Sequence, residues 1–340
     1  MKLRWLAVVI SMLPGFALQD ARAQEAPPED LDVVVVSGRQ PGPPLWKVTS
    51  GDNTLWLLPI VPVVPKNIEW DDSRVAELIA DSQEAIDPPG VSLSVSKKLI
   101  FNPVNWVRGP RLVKRLSRNP DEKTLEQVLP AELWQRYAAL KQHYFARDKD
   151  IDTMRPSFAI GAASHTILKE EKLRGPKEIR KHVEKLIDKQ RSVKRTKVEV
   201  EERVEGSYAD LTARLEKLVE SLPKDDEVRC FDNQLKLFEH RIDDMKRVAN
   251  AWATGNARDM ESYSTLGEMD DPCTRLLLAS SEGDYMERLI AESSQRWMTS
   301  VEAALARNHS TFAVLPMIYI KGSRSLVDKL AAKGYTVHAP

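Results

Sequence analysis

Ten residues near the C-terminus, Thr311 to Ile320 (TFAVLPMIYI), form a near-continuous apolar run. As a helix the run is too short to cross a bilayer. It is also too uniformly apolar for a strand with one wet face. It predicts a strand buried on both faces inside a sheet. The residues after it are equally readable. Ser323 to Lys333 sets Leu326, Val327 and Leu330 along one side of a helix, and Gly334 offers a natural stop. Tyr335 to His338 then returns as a strand.

The front of the chain repeats this grammar. LWKV and TLWLL flank a Gly-Asp-Asn turn, which signals a hairpin. Asp71 or Asp72 can cap a helix reaching about Ala80, with Val75, Leu78 and Ile79 on its apolar side. Glu84 to Asp87 reads as a short strand stopped by Pro88-Pro89. Strand-helix-strand units at both ends predict one sheet built from both termini. The expected fold is mixed α/β (α+β), with a large helical region between the two units. That middle is strongly charged from about 165 to 225, which reads as a solvated helical face. Leu235, Leu237, Phe238, Ile242, Met245, Val248 and Trp252 recur at near-helical spacing and are expected in the core.

Residues 1–23 carry Lys2 and Arg4, an apolar stretch broken by Pro14, and Ala21-Arg22-Ala23. This is the form of a signal peptide cleaved after Ala23, the alternative being an uncleaved anchor. No later stretch is long and apolar enough to span a bilayer, so export to the periplasm is expected. Residues 24–44 form a Pro-rich, flexible arm, and residues 45–340 a single domain. Cys230 and Cys273 are the two cysteines. In an oxidising compartment they are expected to pair, the alternative being free thiols. The 50 basic and 50 acidic residues balance, giving no global reason to expect nucleic acid or an anionic membrane surface as a partner.

Four segments together resemble the TraB/GumN family, whose animal relatives include the Tiki proteins. LWKVTSGDNTLWLLPIVPVVPKNIEW is similar to its opening strand and G-x-x-H loop. CFDNQLKLFEHRIDDMKRVANAWATGN is similar to a helix that begins at a Cys and ends in a W-x-x-G-type turn. ERLIAESSQRWMTSVEAAL resembles an E-R-N-x-x-W helix, and TFAVLPMIYIKGSRSLVDKLAAKGYTV the closing strand, helix and strand. The resemblance runs from about Leu45 to Val337 and is thin over 165–225. It implies a metal-dependent hydrolase or peptidase, in which two G-x-x-H histidines and an acidic residue hold a metal such as Zn or Mn that activates water.

This chain departs from that site. The first G-x-x-H falls on Pro59-Ile60-Val61-Pro62, and the second on Pro316-Met317-Ile318-Tyr319. The R-N pair falls on Ser293-Ser294, after a retained Glu292; the acidic position is Asp87. Proline offers no side-chain donor, and a phenol with a free pKa of about 10 is a poor ligand. The expectation is a catalytically silent protein without a cofactor that binds a peptide or envelope protein. The alternatives are a hydrolase rebuilt on Asp87, Glu292 and Tyr319 with His309 or His338, and an envelope structural or assembly factor. Two further stretches enter as candidates. Trp46, Trp56 and Trp70 either floor an apolar cleft or pack into the core. LDVVVVSGRQ, Leu31 to Gln40, either adds a strand to a partner's sheet or forms an edge strand of its own domain.

Overall fold

The computed structural model describes residues 33–96, 99, 101–262 and 271–340. The leader and the first residues of the arm lie outside them. Six strands form the central sheet: β1 (Trp46–Ser50), β2 (Asn53–Ile60), β3 (Glu84–Ile86), β4 (Lys194–Thr196), β5 (Ser310–Pro316) and β6 (Thr336–His338). Their order is β6-β1-β2-β5-β3-β4. The two strand-helix-strand units therefore meet in one mixed sheet, as expected. The hairpin between β1 and β2 closes at Ser50 and Asn53, with Gly51 at φ 57° supplying the left-handed turn.

β5 is central, parallel to β2 on one side and to β3 on the other. Thr311 to Leu315 are all buried, which is what the apolar run required. The strand ends at Pro316, however, and residues Met317–Tyr319 make a 3₁₀ turn instead of continuing to Ile320. The turn still buries Met317 and Ile320, so burial alone did not mark the strand's end. The last helix likewise starts at Leu326 and not at Ser323, because Ser325 caps it: its hydroxyl accepts from the Asp328 N–H at 2.9 Å.

The helix Gly283–Arg307 lies along β1, β2, β3 and β5, burying Leu289, Trp297, Met298, Val301, Ala304 and Leu305. The helix Ser73–Ala80 buries Val75, Leu78 and Ile79 as expected. Leu235, Phe238, Met245, Val248 and Trp252 are buried, with Leu237 and Ile242 packed against them. Cys230 and Cys273 form a disulfide-capable pair, 43 residues apart in sequence, joining the helices Lys224–His240 and Asp271–Leu278.

Two expectations are corrected. The charged middle is not helical throughout. It supplies β4, and the strand Glu199–Val204, which pairs in parallel with Gly90–Val95. Val198 and Val200 are buried on alternate positions, a period of two that dense charge obscured. The helix Lys177–Lys189 is no plain solvated face either, since it buries Ile179, Val183 and Ile187. The arm is not free over its described part. Gly38–Gln40 pairs in parallel with Ile68–Trp70. Val36 N–H donates to Asn250 Oδ1 at 2.9 Å, and Asn250 Nδ2 donates back to Val34 at 2.8 Å. Gly38–Gln40 is thus a short strand of its own domain, Val33–Ser37 are not strand, and Leu31 and Asp32 lie outside the described residues.

Glu84, 3% exposed at the start of β3, ties three elements together. It accepts from Lys194 Nζ at 3.0 Å, Arg307 Nη2 at 3.2 Å, Asn308 Nδ2 at 3.1 Å and the Thr196 hydroxyl. Burial pushes its carboxyl up, but these donors outweigh burial and hold it below the ordinary value. A carboxyl lowered on folding contributes stability above its unfolded pKa, and that stability is lost as pH falls through its folded one. Glu84→Gln is therefore expected to lower unfolding stability by about 1–3 kcal/mol at neutral pH. It should also shrink the difference between urea melts at neutral pH and below the carboxylate range. Parallel pH curves for the two proteins would contradict this.

Candidate functional site

Because β2, β5, β3 and β4 run parallel, their C-terminal ends share one edge of the sheet. That edge is where open α/β sheets place ligands. The positions expected from sequence fall along it. Pro59 is buried near the end of β2, opposite Leu315. Pairing with β1 stops at Trp46 and Leu57, so the missing N–H of Pro59 breaks no bond of that ladder. Its carbonyl accepts from Trp252 Nε1 at 2.8 Å. Pro62 is exposed on the following turn, between buried Val61 and Val63.

Asp87 follows β3 directly. Its N–H donates to the Thr196 carbonyl at 2.9 Å. Both of its oxygens accept from Arg195 Nε at 3.0 Å, and Arg195 Nη1 reaches Asp188 at 2.8 Å. Burial pulls the Arg195 guanidinium down, but the Asp87 and Asp188 carboxylates outweigh it and raise it above its usual value. Asp87 is therefore a half-buried carboxylate with a fixed cationic partner.

Three separate clefts lie near this edge and share lining residues. Asp87, Pro316, Arg180, Glu184 and Arg195 line one of about 370 Å³. Through Lys197, Val198 and Glu199 it adjoins a second, of about 480 Å³, bordered by Glu292 and Arg296. Gln295 lines both that cleft and a third of about 690 Å³, which holds Ser294, Tyr319, Met298 and Leu326. The helix Gly283–Arg307 thus carries one wall past two of the clefts. Glu292 is exposed and salt-bridged to Arg296 at 2.6 Å. Ser293 turns inward, donating to the Ile290 carbonyl at 2.9 Å, whereas Ser294 is half-buried.

The remaining candidates lie elsewhere. His309 is exposed just before β5, at the opposite end of that strand from Pro316. His338 is exposed on β6, opposite Lys47. Trp46 is buried. Trp56 has Lys47 and Arg74 over its ring at 5.5 and 5.6 Å, and Trp70 sits edge-on to Trp252 at 5.7 Å. Each tryptophan is thus engaged in packing.

The donor set does not fit a divalent metal. Pro62 has nothing to offer, Asp87 is held by Arg195, and Tyr319 is a phenol. Among the described residues no three of His, Cys, Asp and Glu converge on one point. Sequence reasoning missed Arg180, Glu184, Arg195 and Lys197, all within the charged middle. The alternation of Val198 and Val200 was the signal that part of that middle is strand.

No curated protein and no solved structure matches the chain. The family model of the TraB/PrgY/gumN family, however, matches residues 44–339. Spanning nearly all of the fold described above, that match means that the chain belongs to the TraB/PrgY/gumN family.

Proposed function

We propose that this TraB/PrgY/gumN relative is an exported, periplasmic protein that has given up catalysis and binds an extended peptide or protein segment of the cell envelope. The observation that carries the first part is the Asp87–Arg195 pair. At the position where the family's pattern calls for an acidic ligand, the carboxylate is neutralised, while both histidine positions are Pro62 and Tyr319. The adjoining clefts support the second part. An extended chain suits adjoining pockets that alternate charged walls with apolar ones such as Ile187, Val314, Met298 and Leu326. Export rests on the leader of residues 1–23 and is compatible with the disulfide-capable pair.

The test uses residues 24–340. Elemental mass spectrometry is expected to find metal well below one equivalent, and EDTA should leave the thermal melt unchanged. Peptides selected on this protein from a random displayed library are expected to lose binding to Gln295→Trp, which crowds the two clefts that Gln295 lines. Near-stoichiometric Zn or Mn, or peptide turnover abolished by Asp87→Ala, would replace the binding reading with a rebuilt hydrolase.

A further inference from the structure

Five of the seven large, exposed apolar side chains among the described residues lie in one place: Phe101, Val104, Trp106, Val107 and Val113. Four are on the helix Pro103–Leu116 and one lies just before it. Phe101 is 71% and Trp106 66% exposed. Scattered singly, such residues carry no message; gathered on one helix they mark a docking face. The helix buries only Leu112 on its inner side. It leans on the helix Tyr208–Glu220, where Arg115 pairs with Glu216. Its start is fixed by Asn102, whose side chain accepts from the Val104 N–H at 3.0 Å.

Trp106, Pro110 and Val113 stand at i, i+4 and i+7 and form one outer row. Val104, Val107, Arg111 and Lys114 form the adjacent row. The helix holds Arg108, Arg111, Lys114 and Arg115 and no acidic residue, although the whole chain balances to zero. An apolar, aromatic row on a helix whose only charged side chains are cations is complementary to one kind of surface in particular. We propose that this helix docks flat on an anionic phospholipid bilayer. The Trp106 indole and Phe101 ring would sit at headgroup depth, while the long cationic side chains reach the phosphates. The attachment is peripheral, and among the described residues no helix is long and apolar enough to cross the membrane.

The experiment is co-sedimentation of residues 24–340 with phosphatidylcholine vesicles, with and without phosphatidylglycerol. Removing residues 1–23 excludes the apolar leader as a cause of binding. The protein is expected to partition onto the anionic vesicles only, less so as salt rises. The triple variant Arg108→Gln/Arg111→Gln/Lys114→Gln should weaken partitioning about a hundredfold. The double variant Trp106→Ala/Val107→Ser should weaken it independently. All five side chains are exposed, and circular dichroism melts check that each variant keeps the fold. Arg115 is left in place because its pair with Glu216 seats the helix. Failure to bind anionic vesicles would overturn the proposal, as would binding that neither variant changes. A dimer dissolved by Trp106→Ala, with no vesicle binding, would assign the face to a second copy instead.

Discussion

Arg155→Met is expected to destabilise the fold by about 3–5 kcal/mol. In a domain of this size that lowers the melting temperature by roughly 5–8 °C. Arg155 Nε donates to Glu227 Oε1 at 3.1 Å, and its Nη2 to Oε2 at 2.6 Å. The Ser157 hydroxyl adds a third donor to Oε1 at 2.7 Å. The side chains of the pair are only 10% and 4% exposed. Removing the guanidinium leaves a carboxylate away from water with one hydroxyl for company. The penalty is the desolvation of that charge more than the loss of attraction.

The pair also joins two helices at their beginnings. Arg155 directly precedes the helix Pro156–Glu170, and Glu227 lies in the first turn of Lys224–His240, where the helix dipole favours a negative charge. The discriminating measurement is the double variant Arg155→Met/Glu227→Leu. Apolar groups of similar volume carry no charge to desolvate, so urea melts should show it recovering most of the single variant's loss. If the double variant is as unstable as the sum of the two singles, the pair's worth is geometric and the desolvation account is wrong.

That pair is separated by 72 residues in sequence, and the Asp87–Arg195 contact by 108. Neither leaves a local trace, which is why the fold was more legible than the site. Periodicity is a local signal. It placed the buried side of Ser73–Ala80, while two other local signals, a Gly-Asp-Asn turn and an unbroken apolar run, placed the hairpin at Ser50–Asn53 and the buried position of β5. It failed where two signals competed. The period-two burial of Val198 and Val200 lay within dense charge, and Pro316 ended a strand inside an unbroken apolar run. Asp87 itself could be named only through a resemblance. The resemblance implied a metal-holding carboxylate there, whereas the structure pairs it with Arg195, a fact of how β3 and β4 meet. No reading of residues 84–89 alone could supply it.

Trp252→Ala should cost a comparable 3–5 kcal/mol, and Trp252→Phe about 1–3 kcal/mol. Trp252 is fully buried on the helix Ile242–Thr254, edge-on to Trp70, and its indole N–H satisfies the carbonyl of Pro59. Phenylalanine keeps most of the ring contact and orphans that carbonyl, whereas alanine also opens a cavity. The two losses can be told apart by where they act. The orphaned carbonyl lies at the end of β2, where the chain enters the turn carrying Pro62. Amide exchange at Val61, Val63 and Val64 should therefore quicken in both variants, while Ala251 and Ala253 should respond mainly to the cavity. If Trp252→Phe leaves exchange in residues 61–64 untouched, the prolines hold that turn without help from the helix. The path of the chain past the family's first motif is then set by proline stiffness alone.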